Sequence, residues 1–480
     1  MTITQKDLAV AEREIVEEHQ LKEKVVNEEF KIWKKTVPLL YDTIHTYVLD
    51  YPSLAIKWLP DYTYSDNKNS VNVKFLIGTN TSHNSSNYLK LGSVNIPSTL
   101  APDFSTVNPD VDSITVPSSV IEDTSDFRIL SKWKQTSEIN KLDISPNGKK
   151  VLSFNSDGVV HSYDLENNDV IDYKYHKSEG YALTWFGNDS FISGSNDSQI
   201  ALWSLDKPST PIQLFKSHNG AVNDISYNPN FVSIFGSVSD DSSTQFHDSR
   251  ASGDNPVIKQ ENQHIQMAIS VHPEIETLYA TGGKDNVVSL YDIRNYKIPL
   301  RKFFGHNDSV AGIKWDVEDP RTLISWSLDK RIITWDLKDL EEEYAYPDGN
   351  ENSRRRAAVK IDPCLRFIHG GHTNRVNDFD VHPKIRSLYA SVGDDNLLEV
   401  WKPKTLSYEE EEGGEEAEDP QDSEQAIEQE VPGNKEELAS QDTNSVSAKA
   451  EETEDVASAE NNEEKVKPAD DGVNDVEMQE

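Results

Sequence analysis

The chain of 480 residues contains very little sulfur, with one cysteine, Cys364, and three methionines. A single cysteine cannot form an intrachain disulfide, so the composition favours a reducing compartment. No run approaches the roughly 18 consecutive apolar residues of a membrane-spanning helix, and the polar N-terminus does not resemble a secretory signal. We therefore expect an intracellular protein that makes no membrane contact.

The sequence also lacks the motifs that carry catalytic chemistry. It has no Gly-rich phosphate loop, no paired cysteines for zinc, and no Ser, His and Asp set that a common fold would bring together. Lysine and arginine do not cluster among aromatic residues, which disfavours direct nucleic-acid binding because phosphate contacts need concentrated positive charge. We expect no enzyme activity, no cofactor and no metal ion.

Positive charge is scarce, since 47 Lys and Arg residues face 84 Asp and Glu residues, for a net charge of −37. Residues 409–480 hold 27 acidic and 4 basic side chains, which is a net charge of −23. A segment so poor in apolar residues cannot bury enough surface to offset the entropy of ordering, so we predict a disordered acidic tail over residues 406–480. Such a tail keeps a protein soluble or shields basic partners.

The most regular feature of the chain is a repeat in which an aspartate precedes an aromatic residue by six positions. The successive aromatic residues lie 40, 43, 45, 44 and 66 positions apart. This is the period of a four-stranded propeller blade, with an insertion before the last one. The pattern predicts an all-β propeller. The six pairs are Asp157 and Tyr163, Asp197 and Trp203, Asp240 and Phe246, Asp285 and Tyr291, Asp329 and Trp335, and Asp395 and Trp401.

Four of these repeats contain a histidine upstream of the aspartate. In a buried turn, such a histidine can donate to the aspartate, while a strand serine and the Trp indole complete a hydrogen-bond network. The alternative is metal or acid–base chemistry. Because the histidines would be spread around a ring, one per blade, we predict the structural role. The residues are His176, His218, His306 and His372, with Ser193, Ser325 and Ser391 as candidate partners.

Before the repeats, apolar residues recur at intervals of three and four. This spacing predicts one apolar face of a helix within residues 1–50. Pro38 lies inside the pattern, so we expect a kink or a restart near Thr36. A helix packed on a propeller leaves a groove beside it in which a partner helix can lie. The residues of the pattern are Val26, Phe30, Trp33, Val37, Leu40, Ile44 and Val48.

Several ordered motifs resemble the WD-repeat histone-binding family. They include NEEFKIWKK at residues 27–35, YPSL at residues 51–54 and FIHGGH at residues 367–372. That family contains the retinoblastoma-associated histone-binding proteins, the small subunit of chromatin assembly factor one and the second subunit of type B histone acetyltransferase. The resemblance covers roughly residues 10–405 and is far more specific than the repeat alone.

The resemblance implies a seven-bladed propeller over residues 51–405, with the seventh blade supplied by Leu54–Ile96. It also implies that the ring is closed by pairing an N-terminal strand with a C-terminal strand. Residues 97–127 are expected to form a flexible loop between the first and second blades, and residues 338–366 an inserted loop before the last blade.

The resemblance further implies two histone-binding surfaces. The first is a groove between the N-terminal helix and the inserted loop, which receives a helix of histone four. Here the loop departs from the family pattern, because Asp362-Pro363-Cys364 replaces an acidic run followed by two prolines. The expected groove residues are Leu39, Leu40, Ile44, Phe367, Ile368, Asp348, Glu351 and Asp362.

The second implied surface is one end of the central channel, where several blades present acceptors to an extended basic peptide such as the tail of histone three. A lysine or arginine inserted from above would satisfy these acceptors with charge-assisted hydrogen bonds. The expected residues are Glu138, Asn140, Glu179, Tyr181, Asn223 and Asp394.

The resemblance therefore implies a non-catalytic subunit that binds histones three and four in nucleus and cytoplasm, most similar to the fungal type B acetyltransferase subunit. It is expected to work beside a catalytic acetyltransferase subunit, as a histone chaperone and chromatin regulator. Chromatin assembly factor one, or a deacetylase or methyltransferase complex, is the nearest alternative. A substrate receptor of a ubiquitin ligase is another, because Tyr291-Asp292-Ile293-Arg294 matches its motif loosely.

Overall fold

Short runs of β-branched and aromatic residues, separated by turns, form seven four-stranded antiparallel sheets in a computed structural model of the chain. The residues that the structure describes are 5–66, 68–81, 86–107, 127–227, 231–251, 255–340 and 362–404. The acidic tail predicted at residues 406–480 lies outside them. Residues 1–408 form one compact unit, to which all that follows refers.

Six of the blades are continuous in sequence, and each begins with its innermost strand. They are β2 (Ile56–Tyr64), β3 (Ser70–Gly78), β4 (Asn87–Pro97) and β5 (Arg128–Gln135) in blade 1; β6 (Ile139–Ile144), β7 (Lys150–Asn155), β8 (Val159–Asp164) and β9 (Val170–Lys174) in blade 2; β10 (Ala182–Trp185), β11 (Ser190–Gly194), β12 (Ile200–Ser204) and β13 (Gln213–Phe215) in blade 3; β14 (Val222–Tyr227), β15 (Ile234–Ser239), β16 (Ser243–Asp248) and β17 (Ile258–Glu261) in blade 4; β18 (Gln266–Val271), β19 (Leu278–Gly283), β20 (Val287–Asp292) and β21 (Arg301–Phe304) in blade 5; and β22 (Val310–Trp315), β23 (Thr322–Ser327), β24 (Ile332–Asp336) and β25 (Leu365–His369) in blade 6.

The seventh blade is assembled from both ends of the propeller. It contains β26 (Val376–Val381), β27 (Tyr389–Gly393), β28 (Leu397–Pro403) and, on its outer side, the N-terminal strand β1 (Tyr41–Val48). β1 runs antiparallel to β28, with Ile44 opposite Trp401. The seven blades and this closure of the ring are therefore confirmed.

The aspartate, histidine, serine and aromatic residues form the predicted network. In blade 6, Trp335 Nε1 donates to Ser325 Oγ at 3.0 Å, and Ser325 Oγ lies 2.8 Å from His306 Nε2. His306 Nδ1 lies 3.0 Å from Asp329 Oδ2, which also accepts the Asn307 backbone N–H. Burial works against ionisation of Asp329, but the contact with His306 holds its pKa below its usual value. The same arrangement is built by His176, Asp197, Ser193 and Trp203 in blade 3, and by His372, Asp395, Ser391 and Trp401 in blade 7.

In blade 4 the predicted pair is wrong by one residue. His218 contacts Asp241, not Asp240, and Ser237 contacts His247, not Phe246. The pair that carries the network, Asp241 and His247, keeps the six-residue spacing but lies one position later than predicted. His247 takes the place of the Trp indole. Phe246 instead packs between blades 4 and 5, beside Tyr279.

The N-terminal helix α1 (Gln5–Leu40) is continuous, so a restart near Thr36 is excluded. Pro38 lies only two residues before the end of the helix, where few backbone hydrogen bonds remain to be broken. The predicted helical stripe also extends too far, because Ile44 and Val48 belong to β1.

The remaining helical elements are short. They are a 3₁₀ turn and the helix α2, which occupy part of the expected loop at residues 97–127, and two 3₁₀ turns that follow β20 and β24. The segment at residues 97–127 joins β4 to β5 within blade 1, so its predicted position between the first and second blades is wrong. Residues 108–126 of that loop, and 341–361 of the inserted loop, lie outside the described residues. No helix in the described part of the chain is both long and apolar enough to cross a membrane. The bounds of these short elements are Ser98–Leu100, α2 (Phe104–Val107), Ile293–Asn295 and Leu337–Asp339.

Candidate functional site

A buried chain of hydrogen bonds joins α1 to the propeller. Trp33 Nε1 donates to Tyr41 Oη at 3.0 Å, and Tyr41 Oη lies 2.8 Å from His369 Nδ1. His369 Nε2 lies 2.7 Å from Glu399 Oε2. Burial lowers the pKa of His369, and although burial opposes ionisation of Glu399, the contact with His369 holds the Glu399 pKa below its usual value. A neutral His369 therefore donates to an ionised Glu399 and accepts from Tyr41.

These contacts place α1 beside β25. Trp33 lies against the ring of His369, with centroids 5.9 Å apart, and Arg331 forms an ion pair with Glu29 on the helix at 3.3 Å. The partly buried side chains of Trp33 and Val37 pack on the core shared by blades 6 and 7. One face of α1 is therefore fully used to attach the helix.

A second apolar row of α1 is not covered by any other part of the chain that the structure describes. Its members are spaced by four, seven and seven residues, which keeps them within about 40° of one another around the helix at 100° per residue. By the same geometry, the centre of this row lies about 125° around the helix from the midpoint of Trp33 and Val37. Exposed leucine, valine and isoleucine side chains at this spacing are typical of a surface that receives another helix. The row consists of Leu21, Val25, Ile32 and Leu39, which are 63%, 51%, 63% and 73% exposed.

The structure divides the expected apolar groove residues into two groups. Leu39, Leu40 and Ile368 are exposed. Ile44 and Phe367 instead pack on the core of blades 6 and 7. Because neighbouring side chains of a strand point to opposite faces, Phe367 and Ile368 do not share a face of β25. Ile44 faces the core because it belongs to a strand and not to the helix.

Of the three expected acidic groove residues, the structure describes Asp362 alone. Asp362 is buried and forms an ion pair with Arg301 at 3.0 Å, while the same carboxylate oxygen accepts the Cys364 backbone N–H. A carboxylate committed in this way is not available to a partner. Asp348 and Glu351 lie outside the described residues.

The second candidate surface is the central channel, a cavity of about 620 Å³. It is lined by residues of the inner strands and of the segments that precede them. Five of the six channel residues expected from the sequence line it together, and Asp394 is not among them; the five are Glu138, Asn140, Glu179, Tyr181 and Asn223. Asp394 is engaged by Arg375 and by Asn377 Nδ2 instead.

The two asparagines of this set join neighbouring blades. Asn140 Nδ2 donates to the carbonyl oxygen of Gly180 in the next blade at 3.3 Å, and Asn223 Nδ2 donates to that of Gln266 at 3.0 Å. Asn377 makes the same contact with Ser53 at 3.0 Å. Asn223 Nδ2 also donates to Asp240 at 3.0 Å, so both of its N–H groups are used within the protein, and its amide oxygen is left to face a ligand.

The other three residues form an acidic and aromatic rim. Glu179 accepts a hydrogen bond from Tyr181 Oη at 3.3 Å, and Glu138 accepts one from Ser156 Oγ at 3.0 Å. Burial, together with the charges of Glu179 and Glu138, raises the pKa of Tyr181. Tyr181 is nevertheless 42% exposed, so its ring can pack against an entering side chain.

Sequence analysis missed a set of charged residues deeper in the channel. Asp143 Oδ1 lies 2.8 Å from Lys57 Nζ, and Asp378 Oδ1 lies 3.3 Å from Lys141 Nζ. Asp380 contacts Lys314 and also lies 3.9 Å from Lys57. The detectable signal is a charged residue on each side of one apolar residue in an innermost strand, as in Lys141-Leu142-Asp143 and Asp378-Phe379-Asp380.

Lys57 and Asp380 are held in their charged forms in spite of their burial. Burial opposes the positive charge of Lys57, but Asp143 and Asp380 raise its pKa above the usual value. Burial would raise the pKa of Asp380, but Lys314 and Lys57 together hold it below its usual value. The ion pairs thus connect blades 6, 7, 1 and 2 across the channel.

One group of side chains among the described residues is close enough to share a metal ion, namely His369, His372 and Glu399, whose ligand atoms lie within 4.8 Å of one another. Both ring nitrogens of His372 are engaged, by Asp395 and Ser391, and those of His369 by Tyr41 and Glu399. A metal ion would have to displace these hydrogen bonds, so we assign a structural role to the cluster.

Comparison with known proteins gives matches along most of the chain. Residues 28–98 match the family model for the histone-binding protein RBBP4, which is also described as a component of the CAF1 complex. The protein named "Histone acetyltransferase type B subunit 2" from Candida glabrata is 32% identical over 394 residues, covering 78% of this chain and 88% of the relative. Proteins of the same name from Eremothecium gossypii and Kluyveromyces lactis are 30% and 29% identical, over 78% and 79% of this chain and 85% and 92% of the relatives.

Proposed function

This chain belongs to the family of histone acetyltransferase type B subunit 2, and on that premise we propose that it is a non-catalytic histone-binding subunit of such an enzyme. The observation that carries the proposal is the exposed apolar row of α1, held beside β25 by Trp33, Tyr41 and His369. In this role the chain presents histones to a separate catalytic subunit. None of its own side chains takes part in acetyl transfer.

At the groove, the proposed contact is between α1 and a helix of histone four. An amphipathic helix of histone four would place its apolar residues on the row of α1 that contains Ile32 and Leu39. Arg331 is already paired with Glu29, so it does not repel a basic partner with a free charge. The hydrogen-bonded connection from Trp33 to Glu399 keeps this wall in position before the partner arrives, which lowers the entropic cost of binding.

The channel side of the proposal is a contact with an extended basic tail, such as that of histone three. Glu138 and Glu179 supply negative charge at the rim, and Tyr181 supplies an aromatic face. Lysine and arginine side chains form strong hydrogen bonds with carboxylates where water is partly excluded. The rigid, blade-joining contacts of Asn140 and Asn223 keep the acceptors around this opening in place.

The comparisons bear differently on the two alternatives, a chromatin assembly subunit and a ubiquitin-ligase receptor. The family model names the CAF1 complex as well, so it does not separate acetyltransferase from chromatin assembly. The relatives named above favour the type B acetyltransferase, and none of them is named as a ubiquitin-ligase receptor. Because histones are made in the cytoplasm and assembled in the nucleus, we propose that the protein works in both compartments.

The groove is tested by placing a charge on the exposed row of α1. We expect Ile32→Asp and Leu39→Asp each to weaken binding of a peptide of the first histone four helix about tenfold or more, because a carboxylate would be buried against apolar anchors. Ile298→Asp is the matched control, since Ile298 and Ile32 are 65% and 63% exposed. Calorimetry gives the dissociation constants.

The result separates the proposal from its rivals. Equal affinities for all three variants and the unaltered protein would place the histone four site elsewhere.

Purification of the intact protein from cell extract, followed by mass spectrometry, identifies the complex. Recovery of a catalytic acetyltransferase subunit supports the type B assignment, whereas recovery of chromatin assembly subunits in its place overturns it.

A further inference from the structure

The innermost strands place their charged residues at two levels along the channel. Lys141, Asp224 and Asp378 occupy equivalent register positions, each one residue before the position that faces the buried serine of the next strand, Ser153, Ser237 or Ser391. This is the upper level, because it lies nearer the start of the strands and the rim. Asp143, Lys314 and Asp380 are equivalent to one another two residues later and form the lower level.

Of these four aspartates, Asp224 differs from the others in its partners. Asp143, Asp378 and Asp380 each lie within ion-pairing distance of a lysine. Asp224 has no lysine or arginine within that distance in the described part of the chain. Its carboxylate oxygens accept the backbone N–H groups of Ile225 at 2.9 Å and Ile269 at 3.0 Å. Each oxygen keeps one further acceptor position, and the residue lines the open cavity.

The surroundings of Asp224 favour a cation that comes from outside. At the equivalent positions of blades 3, 5 and 6 the chain has Ala182, Ala268 and Gly312, which offer no charge of their own. Burial without a partner raises the pKa of Asp224 to about 6, although the charge of Lys141 and the N–H of Ile269 act in the opposite direction. A carboxylate in this state gains from pairing with a positive charge.

The other carboxylates at the two levels are already paired with lysines. Asp378 at the upper level pairs with Lys141, and Asp143 and Asp380 at the lower level pair with Lys57 and Lys314. A positively charged side chain that enters past Glu138 and Glu179 therefore finds at Asp224 a carboxylate that no lysine of the described chain holds.

We propose that Asp224 is a specificity-determining residue of the channel, which binds the charged end of one arginine side chain inserted from an extended basic peptide. A guanidinium suits the two available acceptor positions because its planar fork can reach both oxygens of one carboxylate. The inference rests on the proposed function of the channel as a site for a basic tail. It adds a residue that selects charge and shape within that tail.

The experiment compares two aspartate variants and two kinds of peptide. Asp224→Asn removes the available charge. The control is Asp61→Asn, which also removes one carboxylate charge, but from an exposed position that does not line the channel. The probe is a fluorescent histone three tail peptide, used unmodified and with each arginine replaced in turn by citrulline, which keeps the shape and removes the charge.

We expect one citrulline substitution to weaken binding to the unaltered protein about tenfold or more, and Asp224→Asn to weaken the unmodified peptide to a similar extent. The two changes together should cost little more than either alone, because both remove the same ion pair. Asp61→Asn should change the affinity much less. A histone four helix peptide should bind both variants as tightly as it binds the unaltered protein, which reports that they are folded.

Three results would overturn the assignment of Asp224. If every citrulline peptide binds the unaltered protein as well as the unmodified one, the assignment of Asp224 is overturned while the channel remains a peptide site. Additive losses would also overturn it. If the tail peptide does not bind the unaltered protein at all, the proposed function of the channel fails and the inference fails with it. The citrulline comparison requires no variant protein, so misfolding of a variant cannot hide the outcome.

Discussion

Single serine residues carry an unusual share of the stability of the blades. Ser391 Oγ accepts from Trp401 Nε1 at 3.2 Å and lies 2.9 Å from His372 Nε2, and all three side chains are buried. Ser391→Ala leaves both nitrogens without a partner. We therefore expect it to reduce the free energy of unfolding by about 2–4 kcal/mol, measured by denaturant unfolding.

Ser131 provides the control for this serine. It lies exposed on β5 and should tolerate alanine within about 0.5 kcal/mol of the unaltered protein. A loss for Ser391→Ala no larger than that for Ser131→Ala would show that the network adds little beyond the packing of the blade.

The raised pKa of Asp224, about 6, predicts a pH dependence of tail binding. Only the ionised carboxylate can pair with a cation, so affinity should be full above this pKa and should fall as the pH drops through it. The fall should be about tenfold between roughly pH 7 and pH 5. Lys141 from β6 and Asp378 from β26 are the charged groups that act on Asp224 across the channel, and the N–H of Ile269 in β18 contacts it directly.

The Asp224→Asn variant supplies the comparison for this titration. It should bind the tail weakly and with a much flatter dependence on pH, as followed by fluorescence anisotropy across the same range. If the variant kept the slope of the unaltered protein, the titrating group would be a different one.

At the scale of elements, Tyr41 connects α1, β1 and β25. Its hydroxyl accepts from Trp33 and contacts His369, and its ring packs against Phe367 with centroids 5.2 Å apart. Tyr41→Phe keeps the ring but removes both hydrogen bonds. We expect faster amide hydrogen exchange in α1 and β1, by about tenfold or more, with little change in blades 2 to 5.

The Tyr181→Phe variant is a suitable control, because it removes a hydroxyl from the channel rim and not from the α1 contact. Its exchange pattern in α1 should match that of the unaltered protein. Uniformly faster exchange in every blade of Tyr41→Phe would indicate a general loss of stability and would contradict a local role for this hydroxyl.

The elements also show how far the sequence could be interpreted. The repeat of aspartate and aromatic residues predicted six blades because each blade must solve the same turn and packing problem, and family resemblance supplied the seventh. The end of α1 was misplaced because Ile44 satisfies a helical spacing and a strand spacing equally well. What decides between them is pairing with β28, some 350 residues away in the chain, which no local pattern contains.

The candidate site was harder to predict than the fold for a related reason. Ile368 was expected at the groove because the FIHGGH motif contains it, and its side chain is exposed. Asp362 could not be placed, because its buried ion pair with Arg301 in β21 depends on how blades 5 and 6 meet. The charged channel residues went unrecognised because each blade contributes only one or two of them, and their meaning appears only when the ring is closed.

At the scale of the whole molecule, charge is divided very unevenly. Removal of residues 409–480 would reduce the net charge from −37 to −14 and would remove none of the groove or channel residues. Since histones are strongly basic, we expect the truncated protein to associate with them more slowly at low salt and to show a weaker dependence of the association rate on salt. At high salt, where charges more than about 10 Å apart are screened, the two proteins should bind alike.

Stopped-flow measurements over a salt series test this expectation, with a control in which a Gly/Ser segment of equal length replaces residues 409–480. If the acidic charge acts by long-range attraction, the Gly/Ser protein behaves like the truncated one, because length alone contributes nothing. Loss of histone binding at every salt concentration would move the principal site from the propeller to residues 409–480. Unchanged rates at low salt would instead mean that the −14 of the remaining chain already provides all the attraction, since steering depends on the field near the binding surface and not on total charge.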